Sequence, residues 1–198
     1  MIDLRALGAC DEAVVWYESY DWPDDEAAWC ACGRGDWMLW LCAHIGVDRV
    51  LRVRSGCAIA RTVLHLVPAG EERPRLAIEA AERWCDDPSA ANRTAAAYAA
   101  AYAADAASSS AADADAASSS AADAAAAAAS DASDAADAAA DADAADAADA
   151  ANAAYAAHVA YAAYAAYAAN ARREHADIVR STIPWEVVQA AVARRSKP

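Results

Sequence analysis

From Thr94 to Asn170 the chain runs for 77 residues with no Lys or Arg, written mostly in Ala, with 11 Asp, clustered Ser and spaced Tyr. This composition narrows the possible folds more than any other feature. Alanine is the strongest helix former, so the local preference is helical, while Asp and Ser oppose it by competing for backbone hydrogen bonds. One unbroken helix of this length would be about 115 Å long at roughly 1.5 Å per residue, a rod projecting far from anything else the chain builds. The hexapeptide SSSAAD occurs at 108–113 and again at 118–123, and Ser recurs at 130 and 133. Serine clusters of this kind break and cap helices, so several antiparallel helices are expected rather than one rod. Alanine faces permit close helix approach but bury little area, so the main core must come from elsewhere.

Late in the tract Asp143, Asp146, Asp149, Asn152, Tyr155, His158, Tyr161, Tyr164, Tyr167 and Asn170 recur at intervals of three. Each step turns about 300° on an α-helix, so the row winds around the helix instead of marking one straight face. Either successive parts meet different neighbours, or the helix is broken or tightened locally.

The flanking segments are ordinary sequence. In residues 1–93, Leu7, Cys10, Val14 and Tyr17 fall on one helical face, and the turn at Asp21-Trp22-Pro23 ends that helix. A short second helix carries Trp29 and Cys32 and is broken by Gly33 and Gly35. Asp36 is the expected N-cap of WMLWLCAHI, which Gly46 closes. Val50, Val53, Cys57, Ala60, Leu64 and Val67 follow the 3-4 spacing of a packed helix, started at Asp48 and stopped at Pro68. Pro74 opens LAIEAAERWC, which ends before Pro88. Residues 171–198 return to apolar positions, Ile178, Val179, Ile183, Trp185, Val188 and Val192, which need a surface to bury against. No alternating pattern argues for a strand. The expected fold is all-α: a helical bundle over 1–93, the low-complexity helical tract over 94–170, and C-terminal helices over 171–198 that dock on the bundle because the tract folds back.

Charge excludes some partners. The net charge of −14 arises as −6 in 1–93, −11 in 94–170 and +3 in 171–198. An acidic chain lacks the basic footprint that a phosphate backbone requires, so nucleic acid is not an expected partner; a basic protein is. MIDLRALGACDEA lacks a basic n-region and an apolar h-region, and Asp interrupts the alanine tract throughout. Neither a secretory signal nor a membrane span is therefore expected, and the six cysteines are read as reduced thiols of a cytoplasmic protein.

Chemistry-bearing motifs are sparse. Cys30-x-Cys32 and Cys42-x-His44 suggest zinc, but one-residue gaps on helices point paired side chains apart, so buried thiols are the better reading. Arg34-Gly35-Asp36 is the tripeptide of adhesion ligands, and helix capping explains it equally well. His44, His65, His158 and His175 are scattered, and no nucleophile elbow, phosphate loop, metalloprotease or dinucleotide motif occurs. The tract's aspartates lack the Gly and Glu of a calcium loop. No enzyme activity, cofactor or metal is expected. If the tract contacts a partner, Tyr155, Tyr161, Tyr164 and Tyr167 with Asp134, Asp137 and Asp141 are the candidate residues, since tyrosine is enriched where binding energy concentrates. Packing between alanine helices is the competing role for those tyrosines, as for Tyr98 and Tyr102.

Outside the tract, GACDEAVVWYESYD (8–21), ACGRGDWMLWL (31–41), CAIAR (57–61), ERPRLAIEAAERW (72–84) and ADIVRSTIPWEVVQAAV (176–192) together resemble the immunity proteins of bacterial polymorphic toxin systems. Members of that family carry a helical head, an Ala-rich tract of variable length and a closing DIVR…IPW helix. The resemblance implies a small cytoplasmic protein that binds and neutralises a cognate toxin, and it brings no catalytic residues. The SSS clusters and Asp-dense middle depart from the family pattern. Two other classes stay open: a structural protein that self-assembles through its Ala-rich helices, and an ice- or surface-binding helix, although the tract holds a single Thr.

Overall fold

A computed structural model describes residues 1–62, 64–66, 69–99 and 165–195. Among these residues the secondary structure is helical, with no strand. The elements are α1 (Leu4–Leu7), α2 (Asp11–Glu18), α3 (Asp25–Ala31), α4 (Gly35–His44), α5 (Arg49–Thr62) and a 3₁₀ turn (Leu64–Leu66). They continue as α6 (Arg73–Asp86), α7 (90–99), α8 (Ala165–Thr182) and α9 (Trp185–Arg195).

Local chemistry accounts for the boundaries. Asp3 caps α1 by accepting from the Ala6 N–H at 2.9 Å, and Asp24 caps α3 through the Ala27 N–H at 2.8 Å. Asp48 accepts from the N–H groups of Val50 and Leu51 at the start of α5. Pro74 sits in the first turn of α6, where its missing N–H costs nothing.

Three boundaries differ from expectation. The face through Leu7, Cys10, Val14 and Tyr17 is not one helix: Gly8 adopts φ +82, its N–H closes back on the Arg5 carbonyl, and α2 starts afresh at Asp11. Asp36 does not cap α4; the extended residue there is Arg34, and the Asp36 carboxylate is drawn into an ion pair with the Arg34 guanidinium. The apolar row of α5 is not one α-helix through Leu64, because α5 covers Arg49–Thr62 and Leu64–Leu66 tighten into the 3₁₀ turn; Val67 lies outside the described residues.

Two apolar clusters share α5 as a wall. In the first, Val53, Cys57 and Ala60 of α5 meet Ala77, Ile78, Ala81, Trp84 and Cys85 of α6, with Ala99 of α7 against them. In the second, Ile59 of α5 joins Trp29 and Cys32 around α3 and Met38 and Cys42 of α4, with Ile45 and Val47 beyond it. Ala176, Val179, Ile183, Val188 and Ala191 of α8 and α9 complete that cluster. Small residues set the spacing where α8 crosses α4: a Cβ at Gly35 would stand 2.8 Å from the His175 carbonyl carbon and 3.0 Å from the Ala176 nitrogen. Gly35 is not at positive φ, so space rather than backbone conformation requires glycine there. Arg180 ties the same contact, donating to the Cys32 carbonyl at 2.7 Å and the Trp29 carbonyl at 3.3 Å.

Candidate functional site

Five of the seven tryptophans, Trp16, Trp29, Trp37, Trp40 and Trp185, line one groove of about 570 Å³. Its walls come from α1 and the Gly8 turn, α2, α3, α4 and the start of α9. The break at Gly8 lets α1 turn aside from α2, and Leu4 and Cys10 thus reach the groove from either side of the bend.

The rings form a connected set. Trp16 lies 5.4 Å from Trp22, 5.9 Å from Trp37 and 6.4 Å from Tyr20, all tilted, the arrangement that suits the quadrupoles of aromatic rings. Trp29 and Trp185 are paired at 6.4 Å, and Trp40 stacks on His44 at 4.0 Å. A carbonyl only accepts, so the His44 Nδ1, 2.9 Å from the Trp40 oxygen, carries the proton. Trp29 is buried, whereas Trp16, Trp22, Trp37 and Trp40 are half-buried and Tyr20 and Val15 are exposed beside them.

Polar groups stand at two places. At one, Asp25 accepts from the Tyr17 hydroxyl and from the Ile2 N–H at 2.9 Å, and the Met1 ammonium lies 3.5 Å away. Burial, followed by the hydrogen bond to Asp25 and its charge, pushes the Tyr17 phenol well above its ordinary range. At the other, Arg34 forks onto Asp36 with contacts of 2.9 and 2.6 Å, reaches Glu12 at 3.3 Å, and lies over the Trp37 ring at 4.4 Å. Arg34-Gly35-Asp36 is thus folded in on itself, with Gly35 buried beneath α8. The groove offers aromatic faces bordered by carboxylates.

The cysteines divide between core and surface. Cys32, Cys42, Cys57 and Cys85 are buried and Cys10 and Cys30 are exposed. Cys30 and Cys32 therefore fall on different sides of the α3 wall, while Cys42 is in the core and His44 is held by Trp40. Among the described residues no group of three His, Cys, Asp or Glu is placed to hold a metal ion, and no helix is long and apolar enough to cross a membrane.

Of the candidate partner residues, Tyr155, Tyr161, Tyr164, Asp134, Asp137 and Asp141 lie outside the described residues, and the backbone of Tyr167 falls in the first turn of α8. The groove itself was not anticipated. Its signal was present in the concentration of tryptophan at 16, 22, 29, 37 and 40, a density that one buried core does not need. No family model, curated protein or solved structure matches the chain.

Proposed function

We propose that the chain is a non-catalytic binding protein of the immunity type, which acts in the cytoplasm by occupying a toxin. The observation that carries this reading is the groove: half-buried Trp16, Trp37 and Trp40 with Arg34 and exposed Tyr20 at its edge. Trp, Tyr and Arg are the residue types in which binding energy concentrates, and partly buried rings that close on a partner lose their remaining water. The motif order of the flanking segments supports the same reading, and the net charge of −14 favours capture of a basic partner.

In this reading the tract folds back on itself, so that 171–198 closes on 1–93 and the tract is an insertion within one domain. Closing a longer flexible loop adds only about 0.6 kcal/mol per doubling of length, so tracts of very different length are compatible with one head. The test is co-expression with the toxic product of a neighbouring gene. Restored growth and co-purification are expected; failure of every neighbouring toxin to be rescued or bound overturns the proposal.

A further inference from the structure

The groove sits in the most acidic part of the head. Residues 6–33 carry seven Asp and Glu and no Lys or Arg, and they supply α2, α3 and the Trp16, Tyr17 and Trp29 walls. Three carboxylates line the groove, Glu12, Asp25 and Asp36, against one guanidinium, Arg34. The chain already displays what such walls hold, since the Arg34 guanidinium rests on the Trp37 ring while forking onto Asp36. A second carboxylate–indole pair lies on α2, its indole edged by Trp22, Trp37 and Tyr20. Glu12 and Trp16 are four residues apart, hence neighbours on one helical face, and both line the groove. The Glu12 side chain is 73 % exposed, with Arg34 3.3 Å away, and Trp16 is half-buried.

We propose that the groove recognises a cationic side chain, arginine foremost, on a basic segment of a partner protein, seated on Trp16 with its charge against Glu12. Arginine is favoured over lysine because a planar guanidinium stacks on an indole and forks onto a carboxylate, whereas an ammonium is a strongly hydrated point charge. This deepens the immunity reading and rests on it by naming the chemistry of the toxin surface.

The experiment titrates the full chain with three tryptophan-free hexapeptides alternating Leu with Arg, Lys or Gln, read by indole fluorescence. All seven tryptophans lie outside 94–170, so the signal comes from the flanking segments, and the loss of affinity in Glu12→Gln separates seating in the groove from adsorption to the acidic tract. The Arg peptide is expected to saturate the signal, the Lys peptide to bind more weakly and the Gln peptide not at all, with affinity falling as salt rises. Trp16→Leu and Glu12→Gln are each expected to weaken the Arg peptide about fivefold or more. Urea midpoints establish that each variant is folded; if Trp16→Leu is not, Glu12→Gln, on a side chain mostly in solvent, carries the test. Equal binding of the Gln peptide, or an Arg affinity unmoved by Glu12→Gln, overturns the proposal. In cells, full rescue by both variants removes the groove as the toxin surface and leaves the immunity reading standing. Rescue failing for the wild-type chain while arginine selectivity persists does the reverse.

Discussion

Replacing Gly35 by Ala adds a single methyl group, and the structure gives that methyl no room. Its carbon would stand 2.8 Å from the His175 carbonyl carbon, 2.9 Å from the His175 Cβ and 3.0 Å from the Ala176 nitrogen. These are main-chain atoms and the first side-chain atom of α8, so no rotamer change relieves them; α8 itself must move off α4. Overpacking of this kind typically costs about 1–3 kcal/mol, and the intrinsic helical gain from Gly to Ala returns at most about 1 kcal/mol. The gain is small here because Gly35 is the first residue of α4. A net loss of about 1–2 kcal/mol is expected, read as a lower urea midpoint by tryptophan fluorescence with an unchanged m-value. The melting temperature should fall by several degrees, on the order of 2–8 °C per kcal/mol. A companion variant sharpens the test. His175→Ala removes the imidazole but keeps its Cβ and backbone, so it should not restore Gly35→Ala. A Gly35→Ala protein as stable as wild type, or rescue by His175→Ala, would refute the account of close approach.

Three other outcomes follow from the same geometry. Arg180→Ala takes the guanidinium donor from the Cys32 carbonyl and leaves the Trp29 carbonyl only the long Cys32 N–H bond of 3.4 Å, and should cost about 1–3 kcal/mol in urea unfolding. Arg180→Lys should recover only part of this, since an ammonium lacks the fork, and full recovery would count against it. In the native protein a thiol reagent at pH 8 should label Cys10 and Cys30 quickly and the four buried cysteines only on unfolding; fast labelling of more than two contradicts the packing. Stability should fall as pH rises above about 9. Burial pushes the Cys42 and Cys57 thiols up to about 12 and Cys85 to about 11, and it raises Cys32 and Tyr17 as well. The unfolded chain therefore releases these protons first, and the stability present below that range is lost on the way to pH 11–12. Urea midpoints that are flat from pH 7.5 to 10.5 would contradict the assignment.

The helical class was legible because local signals agreed with one another. Asp48 and Pro74 stand at helix starts, α6 stops before Pro88, and Val53, Cys57 and Ala60 of the 3-4 row on α5 pack against α6. The Gly8 break was not legible, because Leu7, Cys10, Val14 and Tyr17 keep helical spacing across it and only the left-handed φ separates them. Asp36 misled for an electrostatic reason: it is a strong capping residue, but Arg34, two residues earlier, claims its carboxylate. The groove escaped notice since periodicity reports one helix at a time, and its lining is drawn from α1, α2, α3, α4 and α9 together. The tract's tyrosines and aspartates drew attention by repetition, a property of sequence alone, whereas Trp16 and Glu12 gain meaning from neighbours distant in the chain.

One consequence of α5 concerns cooperativity. Val53, Cys57 and Ala60 serve the α6 side and Ile59 serves the α4 and α8 side, so this helix has little surface left for water. Neither cluster can come apart without laying bare a buried flank of the helix that the other still needs. Backbone amides at the centre of α5 should accordingly exchange with solvent only through global opening, while those of α1 escape first. A strain introduced at Trp84 would then register in the stability of the tryptophan groove, and a ligand closing that groove would steady α6 in return.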